Sequence, residues 1–244
     1  MKKTGLILLA AILLIVGAGC VTTNTSVLTA ERDPIALVGM VSNMYVFWHE
    51  EEPIGPEPIG FVIPRAFRRD PDLVFAARAD EIINTAEIMF RDALADSPLI
   101  NLAEREAVLS SRTYQNARIQ RRQAYDEMTM PTGYRFVDIR DRDFFSALAR
   151  ETGIQRSMFV EFDFTKAMSG GMAFGKSGNM RAELAMRVSV LDAQGRVIFR
   201  KSYTGWSDST IEVSGGMYSQ IGLTEIFESA LGEVIFEFLY DLNW

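Results

Sequence analysis

The order of elements in this 244-residue chain predicts an α/β sandwich. One mixed β-sheet carries packed helices in two or three layers, with β-hairpins in the C-terminal half and a long C-terminal helix. Three observations support this. Residues 156–168, "RSMFVEFDFTKAM", and 181–192, "RAELAMRVSVLD", alternate apolar and polar side chains, the period of half-buried strands. Residues 79–95 and 217–241 instead repeat apolar side chains at helical spacing. The elements also succeed one another as strand, helix, strand, helix, then three strands and a helix.

In chain order, residues 34–48, "PIALVGMVSNMYVFW", are rich in β-branched and aromatic residues and read as the first strand. Residues 49–72 follow as a proline-rich excursion, because its many fixed φ angles and missing donors exclude helix and central strand. Ile82, Ile83, Ala86, Met89, Phe90, Ala93 and Leu94 form one face of a helix that ends at Ser97-Pro98. "LINLA" (99–103) is a short second strand, and residues 104–128 are largely helical by propensity. Pro131 and Gly133 interrupt. Asp141 or Asp143 then caps a helix that Gly153 stops. "LDAQGR" makes a hairpin turn between 181–192 and the returning strand "RVIFRKSYTGW". In the last helix Phe227, Leu231, Val234, Phe238 and Leu242 form the core stripe; Glu225, Glu233, Glu237 and Asp241 face solvent.

The N-terminus reads as an address. "MKK", an apolar run and the small residues Gly17, Ala18 and Gly19 precede Cys20, the sole cysteine. The run is too short for a spanning helix, which needs about 20 residues, and has the pattern of an export signal. Residues 1–19 are therefore expected to be a lipoprotein-type signal peptide, with Cys20 as the lipidation site. Residues 20–33 are expected to be a flexible tether and 34–244 a single domain. A lone cysteine at that position leaves no disulfide framework and no cysteine-ligated metal in the domain.

Loss of Lys2 and Lys3 with the signal leaves 23 basic against 32 acidic groups. That excess repels phosphate backbones, so nucleic acid is not an expected partner. Gly170–Ser177, "GGMAFGKS", matches the spacing of a phosphate-binding loop, with Gly170, Gly175, Lys176 and Ser177 at the key positions. Such a loop needs a helix behind it to aim free N–H groups at phosphate. The residues after Ser177 alternate at period two instead, so the match reads as a hairpin tip rather than a nucleotide site. His49, the only histidine, sits among Glu50–Glu52 in a solvated loop, and one imidazole with carboxylates is a poor zinc set. No metal, cofactor or catalytic residue is expected.

Two features are candidates for partner contact. Arg118, Arg121 and Arg122 form a basic cluster in an acidic chain. Ile54, Ile59, Phe61 and Phe67 give the proline-rich excursion apolar groups that either pack back on the domain or present a binding edge.

Several short motifs resemble a family of outer-membrane lipoproteins containing the curli-secretion channel subunit and the penicillin-binding-protein activator lipoprotein. They are "LAEREAVL" at 102–109, "ALARETGIQRSMFVEFDF" at 147–164 and the hairpin "MRVSVLDAQGRVIFRKSYTG" at 186–205. The resemblance implies the fold and the lipidated cysteine, and brings no catalytic residues. Val21, rather than an aspartate, follows the cysteine, which favours the outer membrane. The expected function is a non-enzymatic, lipid-anchored binding or scaffolding component of the bacterial envelope, facing the periplasm. Its expected partners are the membrane, through Cys20, and an envelope protein; homo-oligomers stay open. The alternative is a subunit of an outer-membrane secretion or transport channel. An envelope hydrolase is a weaker reading still.

Overall fold

Period-two alternation places the centre of the sheet. The computed structural model describes residues 25–29, 33–48, 78–118, 128–172, 177–215 and 217–242. Strands β1 (Ile35–Asn43), β2 (Phe47–Trp48), β3 (Met128–Thr129), β4 (Arg156–Met172), β5 (Ser177–Asp192), β6 (Val197–Trp206) and β7 (Ile211–Val213) form one mixed sheet. Its order is β3-β1-β4-β5-β6, with β2 beside β4 and β7 beside β5. β1 runs parallel to β4, whereas β4, β5 and β6 are mutually antiparallel.

The register puts like side chains on one face. Met158 opposes Val190, Phe162 opposes Met186, and Val190 and Met186 in turn oppose Phe199 and Tyr203. All are buried. The helices are α1 (Ser26–Thr29), α2 (Asp80–Ala95), α3 (Arg105–Leu109), α4 (Arg112–Gln115), α5 (Arg142–Thr152) and α6 (Gln220–Leu242). Helix α6 covers this face with the predicted stripe, all of it buried. Phe227 meets Phe164 edge-on at 5.3 Å, Phe238 meets Tyr203 at 5.5 Å, and Phe238 stacks on Phe90 of α2 at 5.8 Å. Such pairs add about 0.5–1.5 kcal/mol each beyond their buried area.

β1 is buried at every position from Ile35 to Ser42, so both of its faces are covered. A second aromatic cluster, Tyr114, Phe144 and Phe145, is tied to it: the Tyr114 hydroxyl donates to the Val38 carbonyl at 3.0 Å and accepts from the Arg135 N–H at 3.0 Å. Burial pushes that phenol up to about 12. Over β5, by contrast, Arg181, Glu183, Ala185 and Arg187 stay half exposed. The molecule is thus three layers deep at β1 and two at β5.

Two local expectations hold in detail. Asp141 caps α5 by accepting from the Phe144 N–H at 3.1 Å, and Gly153 ends it at φ +76°, a region where other residues are strained. Four others need correction. The first strand is not continuous over 34–48. Asn43 breaks it by turning its amide inward, accepting from the Phe164 N–H (2.8 Å) and donating to the carbonyls of Phe164 (2.8 Å) and Tyr45 (2.6 Å). "LINLA" is not a strand but one bridge, Leu102 to Ile35. The described part of 104–128 holds two short helices, because Ser111 caps α4 and also donates to Val108, stopping the turn before it. The last helix starts at Gln220 rather than Met217, where the Ser219 hydroxyl accepts from the Gly222 N–H.

The chain is also fixed closer to Cys20 than a tether over 20–33 implies. α1 is helical and its Leu28 is fully buried. The guanidinium of Arg156, itself buried, donates to the carbonyls of Leu28 (3.1 Å) and Asp33 (2.5 Å). The Thr25 hydroxyl donates to the Asp241 carbonyl at the end of α6 (2.8 Å).

Candidate functional site

Because β6 closes the strand order, its outer edge has no neighbouring strand among the described residues. Helix α6 runs beside that edge, brought close by Gly205: a Cβ there would lie 2.8 Å from Val234 Cγ1 and 2.9 Å from Glu233 Oε2. Side chains of α6 tie the edge at two places. The Glu233 carboxylate accepts from the Trp206 N–H at 2.5 Å. Midway along β6 the Asp241 carboxylate accepts from Lys201 Nζ (2.7 Å) and from the Tyr203 hydroxyl (2.9 Å). Burial, and then this bond to a carboxylate, raise the Tyr203 phenol far above its ordinary range.

Between these ties lies an open groove of about 400 Å³. The sheet contributes Lys201, Tyr203 and the exposed Ser202 and Thr204, and the helix contributes Phe236, Glu237, Tyr240 and Asp241. Phe236 is 67% and Tyr240 55% exposed, and their rings sit 6.3 Å apart, one helical turn along. Large exposed aromatics are uncommon unless they meet something. Around them the exposed face of α6 carries Glu225, Glu228, Glu233 and Glu237, and the helix holds no lysine or arginine. The arrangement can bind: it offers strand backbone with no neighbouring strand among the described residues, apolar rings and negative charge.

Of the residues singled out from sequence, Cys20, Ile54, Ile59, Phe61, Phe67, Arg121, Arg122, Gly175, Lys176 and His49 lie outside the described residues. Arg118 lines a second open groove of about 400 Å³ with Arg112, Asp141, Asp143 and Glu151. Its charge is mixed: the Thr113 side chain first, and then the Thr113 and Arg112 N–H groups at 2.8 and 2.7 Å, hold the Glu151 carboxyl below the usual range. Gly170 lies within β4, opposite Asn179, and Ser177 begins β5, accepting from the Gly215 N–H at 3.0 Å. The segment behind the glycine-rich loop is therefore strand, without the helix that a phosphate loop requires.

Sequence reasoning missed two polar sites. Lys166 is buried, donating to the Val46 carbonyl at 3.0 Å and lying 2.9 Å from the Tyr218 hydroxyl, within 5.1 Å of the Trp48 ring and 4.9 Å of the Tyr218 ring. The signal was its even position, in step with Phe162 and Phe164 on the apolar face. The other site is Glu87 on α2, which accepts from the Tyr134 hydroxyl (3.1 Å) and Arg105 Nε (3.3 Å). It joins α2 to α3 and to the loop after β3. Both sites cross-link elements of the fold. Phe236 and Tyr240 were also legible, since a helical wheel puts them on the carboxylate face rather than on the core stripe.

Fold and groove together define a mixed α/β domain with an open, acid-rimmed sheet edge. No family model matches the chain, and no curated protein matches it. Among solved structures it is similar to the C-terminal domain of LpoB from Salmonella enterica, with TM-score 0.31 and 11% identity over 78% of this chain and 88% of that one. A likeness at that level carries no argument about function. No helix among the described residues is long and apolar enough to cross a membrane, and no group of three or more His, Cys, Asp or Glu there is placed to hold a metal ion.

Proposed function

We propose that the protein is an exported, lipid-anchored component of the bacterial envelope, held by acyl chains on Cys20 and facing the periplasm from the outer membrane. It works by binding or scaffolding an envelope protein rather than by catalysis. The observation that carries this reading is the basic start, apolar run and Gly-Ala-Gly ending at Cys20, followed closely by Thr25, whose hydroxyl bonds the end of α6. Burial of acyl methylenes stabilises membrane attachment by about 0.8 kcal/mol each. Support for binding comes from the groove between β6 and α6, where exposed rings lie beside strand backbone with no neighbouring strand among the described residues.

The test is fractionation with acyl labelling. The wild-type chain should take up labelled palmitate and sediment with outer membranes; Cys20→Ala should lose the label and move to the soluble periplasmic fraction. A Cys20→Ala chain that keeps its membrane association overturns the anchor.

A further inference from the structure

The geometry points to the β6–α6 groove as the docking site for an extended segment of an envelope protein, added as a strand to the outer edge of β6 and carrying basic and apolar side chains on its helix-facing side. This rests on the reading of the protein as a binding component.

Three observations converge on that occupant. First, β6 is the last strand among the described residues, so an incoming extended chain finds backbone donors and acceptors already set at strand spacing. The Glu233 tie closes this stretch at Trp206 and leaves the backbone of Ser202 to Thr204 beyond it, since Asp241 engages only the side chains of Lys201 and Tyr203. Second, strand alternation divides the groove. Phe199, Lys201, Tyr203 and Gly205 face α6, whereas Ser202 and Thr204 point to the other side of the sheet. Every second residue of an added strand would therefore lie against Phe236 and Tyr240, and the residues between would lie beside hydroxyls. Third, charge selects the partner. Glu233 and Glu237 flank the rings, Glu225 and Glu228 extend the same face, and the one basic residue of the groove, Lys201, is already paired with Asp241. An arginine between such rings and carboxylates gains both ion pairing and stacking. The same carboxylates disfavour an anionic lipid surface, and they would repel the identical helix of a second copy paired edge to edge.

The test uses the full chain in detergent and a nine-residue probe, Thr-Phe-Thr-Arg-Thr-Phe-Thr-Arg-Thr, titrated by calorimetry. Two further peptides carry N-methyl groups on alternate amides, one on the odd set and one on the even set. Only one set can face β6. One methylated peptide should therefore bind within about threefold of the parent, while the other loses about tenfold or more, as expected for several lost hydrogen bonds. Replacing both arginines of the peptide by glutamate should weaken binding by at least about tenfold. The exposed double substitution Phe236→Ser with Tyr240→Ser should do the same without changing thermal unfolding. The proposal is overturned if the parent peptide fails to bind, if both methylated peptides behave alike, or if the glutamate peptide binds equally well. It is also overturned if the double variant abolishes a dimer of the chain, or its binding to phosphatidylglycerol vesicles, while leaving peptide binding unchanged. The same titrations on the Cys20→Ala chain separate failure of the groove from failure of the anchor.

Discussion

The Glu233 carboxylate accepts a hydrogen bond from the Trp206 N–H at 2.5 Å, so a helix side chain occupies the place where a neighbouring strand would pair. Charged caps of this kind are how exposed sheet edges avoid pairing with other chains. Glu233→Ala should cost about 1 kcal/mol in urea unfolding, the worth of one hydrogen bond near the surface. It should also raise the tendency to self-associate, seen by light scattering. A variant as monodisperse as the wild type would show that Glu233 does not guard the edge.

Arg156 makes a longer connection. Its buried guanidinium holds the carbonyls of Leu28 and Asp33, more than 120 residues away in sequence. Arg156→Met keeps the apolar stem and removes the donors, and should destabilise by about 2–4 kcal/mol. Amide exchange over residues 25–29 should accelerate more than exchange in β5. Unchanged protection of Leu28, whose N–H donates to the Thr25 carbonyl, would mean that burial alone keeps α1 in place.

Lys166 joins three parts of the fold: β4, the carbonyl before β2, and the lead-in to α6. Lys166→Met fits the space but leaves the Val46 carbonyl and Tyr218 hydroxyl without their partner. A loss of about 2–3 kcal/mol follows from those unmet groups, measured by chemical denaturation. A neutral or stabilising result would show that the aromatic packing, not the ammonium, holds Tyr218.

Stability should fall at high pH. Burial raises the Tyr114 phenol to about 12, and Tyr134 and Tyr203 are raised further, burial again first among the causes. In the unfolded chain these phenols ionise near 10. Below that value both states are protonated and stability is unaffected. As pH rises from about 10 to 12, the unfolded state sheds protons that the folded state keeps, so folding weakens. For Tyr114 alone the loss reaches about 2 kcal/mol by pH 12. Tyr114→Phe should flatten part of the slope in thermal unfolding scans between pH 9 and 12, at the cost of the Val38 bond. A slope identical to wild type would contradict the assignment.

Much of this fold can be read locally. The strands β4, β5 and β6 show their period directly, the α6 stripe is regular, and Asp141 and Gly153 mark the ends of α5 by chemistry within one turn. What stayed hidden depends on distant partners. Asn43 reads as an ordinary polar residue until Phe164, 121 positions later, supplies the backbone groups it binds. Residues 25–29 have the composition of a spacer, and it takes Arg156 from β4 and Asp241 from α6 to hold them. β3 and β7 are too short to show any period. Phe236 and Tyr240 are visible as misplaced aromatics on a helical wheel. That they border a groove follows only from β6 being the last strand, a property of the topology rather than of any segment.

The docking of Thr25 onto the end of α6 has a consequence for reach. Five residues beyond an acylated Cys20, extended to the limit of covalent geometry, measure about 18 Å. On the proposed anchor the end of α6 that holds Thr25 therefore lies within that distance of the lipidated residue. A partner rooted in the cell wall would have to send its own arm down to that depth, because this protein has no slack with which to climb.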